Sequence, residues 1–243
     1  MRRFLIRVQS AGQRAVGIST AVCMTLSASF AHADCSTDAM IVFDGSGSMA
    51  EMGFNQIDEP RIFEARRAVR QVMPQIALNR RIGLIVYGPD TSGQGDQCSG
   101  IDLKFPPRAN AAGLVVEAIN ALEPEGQTAL TEAVNQAAQV LDYTKKPGTI
   151  VLVTDGKETC GGQTCALAAE LAASGPATTV HVIGFKVRGA HFGWQSQGQT
   201  SYNTATSAAK CLATRTGGEY VSTETVEELI AAMQRTLGCA LLY

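Results

Sequence analysis

The chain has 243 residues, is 45% hydrophobic and 17% charged, and sets 20 basic residues against 22 acidic ones for a formal charge of −2. That length and apolar content fit one domain with a sizeable core. The acidic balance repels phosphate backbones and argues against a nucleic-acid partner.

The first residues read as an export signal rather than as part of the fold. Arg2, Arg3, Arg7 and Arg14 form a basic leader, Ala15 to Phe30 an apolar stretch, and Ala31-His32-Ala33 a small-x-small cleavage site. Cleavage after Ala33 removes 33 of the 243 residues and leaves a single domain over 34–243. The four leader arginines go with it and no acid does, so 16 basic residues face 22 acidic ones, a formal −6. No later apolar stretch is long enough to span a bilayer, and the expected address is the periplasm or the medium.

Met40-Ile41-Val42-Phe43 is a continuous apolar run, which predicts a strand covered on both faces. It runs straight into Asp44-Gly45-Ser46-Gly47-Ser48, a glycine-loosened turn offering one carboxylate and two hydroxyls. Such a turn by itself is also ordinary turn composition. Arg61 to Met73 then places Ile62, Ala65, Val69, Val72 and Met73 at helical spacing, with Arg66, Arg67 and Arg70 on the opposite face. Ile82 to Val86 predicts a second buried strand, and Ile101 to Phe105, ending at Pro106-Pro107, an edge strand.

Helical patterns follow over Ala111 to Leu122 and Ala129 to Leu141, then a strand over Thr149 to Thr154 that delivers Asp155. Thr164 to Ala173 is helical, Thr178 to Phe185 a strand, and Thr225 to Leu237 a helix with Thr225 and Glu228 spaced as a capping box. His181 lies inside a strand and reads as structural. The segment Arg188 to Thr200 carries His191, Phe192 and Trp194, which either pack back on the domain or offer aromatic surface to a protein. Strands alternating with helices predict a three-layer, doubly wound α/β fold: a mostly parallel sheet with one antiparallel edge strand and helices on both faces. Ligands of such sheets bind at the carboxyl ends of the strands, where the strand order reverses. Asp44 and Asp155 both stand at such ends.

Cys23 leaves with the leader, and Cys35, Cys98, Cys160, Cys165, Cys211 and Cys239 remain. Six cysteines in an oxidising compartment predict three disulfides, with fifteen pairings open. Zinc is the competing use of Cys160 and Cys165, but no second Cys/His pair stands near them.

Asp44-Gly45-Ser46-Gly47-Ser48 at a strand end, Gly126-Gln127-Thr128-Ala129-Leu130 opening a helix and Asp155 ending a later strand together resemble the von Willebrand factor type A domain and its metal-ion-dependent adhesion site. The resemblance runs from about Asp38 to Leu237. It implies that Ser46, Ser48 and Thr128 ligate a metal through hydroxyls while Asp44 and Asp155 hold it largely through water. Mg²⁺ is the expected ion, with Mn²⁺ or Ca²⁺ as substitutes, because the donors are hard oxygens. Neutral hydroxyls next to the ion leave its charge poorly neutralised, so a vacant position attracts the Asp or Glu carboxylate of a protein partner. That implies a binding and adhesion module, not an enzyme.

Two features depart from the family pattern. The segment Ala50 to Pro60 is long and carries Glu51, Met52, Phe54, Asp58 and Glu59, acids that either form a solvated face or occlude the metal, and Ala129 stands where a proline is common. The stretch Thr154 to Cys165 looks like a segment of bacterial exported members, which implies a local Cys160–Cys165 disulfide. Cys35 and Cys239 flank the domain and are expected to pair because domain termini lie close together, leaving Cys98 with Cys211.

A scaffold domain that keeps its metal for stability shares every motif above. A haloacid dehalogenase-like phosphatase would need a second aspartate two positions after Asp44, where Ser46 stands and cannot transfer the proton. Serine hydrolysis lacks a Gly-x-Ser-x-Gly elbow, and no Walker loop is present.

Overall fold

The computed structural model describes residues 35–52, 59–90, 95–187 and 208–239. The expected signal segment and the aromatic residues of 188–200 lie outside them.

Six strands form one sheet: β1 (Ala39–Asp44), β2 (Ile82–Tyr87), β3 (Ile101–Arg108), β4 (Gly148–Thr154), β5 (Thr178–Phe185) and β6 (Tyr220–Thr223). Their order is β3-β2-β1-β4-β5-β6. β3 runs antiparallel to β2 and every other neighbouring pair is parallel. The helices are α1 (Arg61–Ile76), α2 (Ala112–Asn120), α3 (Leu130–Val140), α4 (Thr164–Ala173), α5 (208–215) and α6 (Val226–Leu237).

The two-residue period of a strand divides the core. Ala39, Ile41 and Phe43 of β1 pack with α1, α2 and α6, while Met40 and Val42 pack with α3, α4 and α5. Every residue of β1, β2 and β4 is buried, which is why these strands read as unbroken apolar runs rather than alternating ones. From β1 the chain goes to β2 on one side and returns to β4 on the other. The strand order therefore reverses between β1 and β4, and Asp44 and Thr154 end those two strands side by side.

Several boundaries follow tertiary packing rather than local signal. α1 continues through Pro74 to bury Ile76, although proline supplies no N–H for the Arg70 carbonyl. β3 continues through Pro106-Pro107 to Arg108, as an edge strand can, with register shifts against β2 near Leu84. β6 and α5 were not anticipated. At the start of α6 the Thr225 hydroxyl accepts from the Glu228 N–H (3.2 Å), while the Glu228 carboxylate accepts from the Glu224 N–H (2.7 Å), one residue earlier than a capping box requires. Among the described residues no helix is long and apolar enough to cross a membrane.

Three disulfides close the structure, and two pairings differ from expectation. Cys35 is bonded to Cys239, with Cα atoms 5.4 Å apart, joining the start of β1 to the end of α6. Cys160 pairs with Cys98 and not with Cys165, and Cys211 pairs with Cys165 and not with Cys98 (Cα–Cα 5.6 and 5.5 Å). Proximity in sequence misleads because a helix begins between the two cysteines. Cys165 is the second residue of α4 and meets α5, whereas Cys160 lies in the preceding loop, where Glu158 accepts its N–H and joins the loop to α3 through the Thr131 N–H.

At the opposite end of the sheet from Asp44, buried Arg80 gathers the base of the fold. Its guanidinium donates to Leu237 O (3.2 Å), Thr149 Oγ1 (2.6 Å) and Thr37 Oγ1 (3.2 Å).

Candidate functional site

β1 ends on Asp44 because the next residue must turn under Tyr87. The Gly45 N–H donates to Tyr87 O (2.8 Å), and a Cβ at Gly45 would stand 2.9 Å from that oxygen. Only glycine fits there. Asp44 is fully buried and its carboxylate accepts three hydrogen bonds: Ser46 donates its N–H (2.9 Å) and its hydroxyl (2.6 Å) to Oδ1, and Thr154 donates its hydroxyl to Oδ2 (2.7 Å). The Tyr87 phenol donates in turn to Thr154 Oγ1 (3.1 Å).

A second carboxylate closes the arrangement. Ser48 follows Ser46 on a 3₁₀ turn (Gly47–Ala50), and its hydroxyl donates to Asp155 Oδ1 at 2.7 Å. Ser46 Oγ and Ser48 Oγ lie 3.1 Å apart. Each hydroxyl has one proton, and both protons are committed to carboxylates. The two hydroxyl oxygens therefore confront each other with lone pairs, an arrangement that a cation would stabilise. Asp155 Oδ2 is buried and makes no hydrogen bond among the described residues, with Arg61 Nη1 3.3 Å away.

The loop that opens α3 docks on the first turn through the Gly47 N–H to Gly126 O bond (3.1 Å), with Gly126 at a positive φ of 77°. It carries Thr128, which is 5% exposed. Thr128 is locked to the Asp155 loop by two bonds: its N–H donates to Thr159 Oγ1 (2.8 Å), and its carbonyl accepts from the Thr159 N–H (3.1 Å). A Cβ at Gly156 would stand 3.8 Å from Thr128 Oγ1 and 3.9 Å from Ser48 Oγ, so the two hydroxyls border one space that glycine leaves open.

Asp44 with Ser46 and Ser48 with Asp155 thus form two hydrogen-bonded pairs that meet where the hydroxyl oxygens lie 3.1 Å apart, with Thr128 across Gly156 from them. Sequence reasoning missed Thr154, Tyr87, Arg61 and Thr159. A polar residue closing an apolar run was the available signal for Thr154 and Tyr87; Thr159 and Arg61 carried none.

Burial, and next the Asp44 charge, push the Asp155 carboxyl up from 3.8 to about 7, against the opposing pull of the Ser48 hydrogen bond and Arg61. The Tyr87 phenol is raised well above its ordinary value by burial and then by Asp44. His181 is lowered by burial, and its Nδ1 accepts from the Glu219 N–H (3.1 Å), a structural role on β5. Among the described residues no three His, Cys, Asp or Glu side chains gather to hold a metal. The donors at Asp44 are mostly hydroxyls.

An open, mostly parallel α/β sheet with oxygen-rich loops at its switch point defines a fold class, and the comparisons narrow it. Residues 39–158 match the von Willebrand factor type A domain family. The chain is 27% identical over 205 residues to the uncharacterized protein YwmD of Bacillus subtilis, covering 82% of this chain and 84% of that one. Its fold is similar to the pilus adhesin SpaC of Lactobacillus rhamnosus GG (TM-score 0.59, 14% identity, 83% of this chain) and to proximal thread matrix protein 1 of the mussel byssus, solved with a zinc-occupied MIDAS motif (TM-score 0.55, 15% identity, 85% of this chain). The chain spans 29% and 46% of those two structures. The fold of these structures agrees with the family match over residues 39–158.

Proposed function

We propose that this chain is an exported protein-binding module whose site takes a divalent cation and presents it to a partner's Asp or Glu carboxylate. Ser46, Ser48 and Thr128 would hold the cation through hydroxyl oxygens, and Asp44 and Asp155 largely through water. The observation that carries this reading is the Ser46–Ser48 contact, two hydroxyl oxygens 3.1 Å apart whose protons are both drawn to carboxylates. Two nearby buried carboxylates repel without a cation between them, and the oxygen donor set suits Mg²⁺, with Mn²⁺ or Ca²⁺ as substitutes, better than zinc. The bound cation supplies a positive charge that hydroxyl ligands do not neutralise.

Fold neighbours that are adhesins agree with a binding role, and the three disulfides agree with an oxidising address. The signal segment, the cleavage after Ala33 and the periplasmic or secreted destination belong to the same proposal. A scaffold role with a stabilising metal is the second reading, favoured by the covalent ties around the site.

A pull-down from native envelope or medium separates the two. Wild type and Asp44→Ala are used as bait, each with Mg²⁺ and with chelator. Proteins captured only by wild type with Mg²⁺ are expected. A capture list unchanged by chelator and by the substitution, together with a chelator-sensitive melting temperature, would leave only the scaffold.

A further inference from the structure

We propose that Arg61 makes the cation-loaded site a receptor for carboxylate rather than a store for metal; the inference rests on the metal-dependent reading above.

Arg61 is the first residue of α1, where a cation opposes the helix dipole, and nearby carboxylates offset that cost. It is only 13% exposed, and it reaches the site. Nη1 donates to the backbone carbonyl of Ser48 (2.8 Å) and stands 3.3 Å from Asp155 Oδ2. Its Nε is buried without a hydrogen-bond partner among the described residues. The guanidinium is thus fixed beside the space bounded by Ser48, Asp155 and Gly156. Glu51 is 3.6 Å from the same nitrogen but 71% exposed, so water weakens its opposition to Arg61.

Charge counting then assigns Arg61 a role distinct from holding the loop. With both aspartates ionised, as in the cation-loaded site, Asp44, Asp155 and Arg61 together carry one net negative charge. A divalent cation turns that into one net positive charge, which a single partner carboxylate neutralises. Without Arg61 the same cation and the two aspartates would sum to zero, and the loaded site would attract an anion more weakly by that one charge. Arg61 therefore weakens metal binding and strengthens carboxylate binding. A residue that only braced the loop would support both.

The opposite signs make the test. Mg²⁺ affinity is measured by calorimetry, and acetate, as the carboxylate probe, is titrated into Mg²⁺-saturated ¹⁵N-labelled protein by NMR. Arg61→Gln, which keeps a donor for the Ser48 carbonyl, is expected to bind Mg²⁺ about tenfold more tightly and acetate about tenfold more weakly, as removal of one nearby charge in a partly wet site dictates. Arg61→Lys, which keeps the charge, is expected to stay within about threefold of wild type on both measures. Loss of both affinities in Arg61→Gln, or acetate binding unchanged, overturns the proposal. Wild type that binds no Mg²⁺ overturns the metal site itself and this inference with it, so the two failures are told apart.

Discussion

Replacing Asp155 with Asn should stabilise the cation-free protein and abolish its response to metal. The folded state holds the Asp155 proton far more tightly than the unfolded chain does, since the carboxyl rises from 3.8 to about 7. The sign follows: the folded state carries no penalty below about pH 4, loses stability as pH climbs from 4 to 7, and stays penalised above that. At 1.36 kcal/mol per pH unit the full penalty is about 4 kcal/mol. The pull of Arg61 is already contained in that shift, and Asn keeps the shape and an acceptor for the Ser48 hydroxyl, so a gain of up to about 4 kcal/mol at pH 8 is expected, or roughly 8–16 °C for a domain of this size. Thermal melts in EDTA at pH 8 and pH 5 read this out. The gain should shrink to about two fifths at pH 5, and MgCl₂ should raise the melting temperature of wild type but not of Asp155→Asn. A variant less stable than wild type in EDTA at pH 8 would refute the claim that this carboxylate is strained without a cation.

Two further outcomes follow from the same geometry. Thr154→Val removes the donor to Asp44 Oδ2 and leaves the Tyr87 phenol unpaired, which should cost about 1–3 kcal/mol in denaturant titrations and weaken Mg²⁺ binding, while Thr154→Ser should restore both; a neutral Thr154→Val would disprove the relay. Non-reducing digestion and mass spectrometry should recover Cys98–Cys160 and Cys165–Cys211 as linked peptides, and a Cys160–Cys165 loop would contradict the structure.

The sheet was legible because burial on both faces writes itself as an unbroken apolar run. β1, β2, β4 and β5 could be placed from β-branched stretches alone, and the helices between them from their three-to-four spacing. β6 was not, since Tyr220-Val221-Ser222-Thr223 is short and half-buried, and a parallel edge gains its identity from β5 rather than from its own residues. The same division runs through the site. Asp44, Ser46, Ser48, Thr128 and Asp155 announce themselves as polar residues on glycine-bearing turns at strand or helix ends. Thr159 and Arg61 do not, because their roles depend on which loop faces them across 31 and 13 residues of chain. The disulfides were misread for a related reason: pairing is decided by the direction a residue faces, and the turn between Cys160 and the start of α4 points the two sulfurs to different neighbours.

The Cys35–Cys239 bond, together with Arg80, gives the domain a mechanical polarity. Tension applied at residues 35 and 239 passes through a single covalent link between Cα atoms 5.4 Å apart, and the hydrogen-bonded sheet between them carries none of it. The six residues of β1, roughly 20 Å of strand, then separate the loaded base from Asp44 at the far end. A grip formed at that far end would still strain the fold, but pulling on the chain alone would leave the site undisturbed.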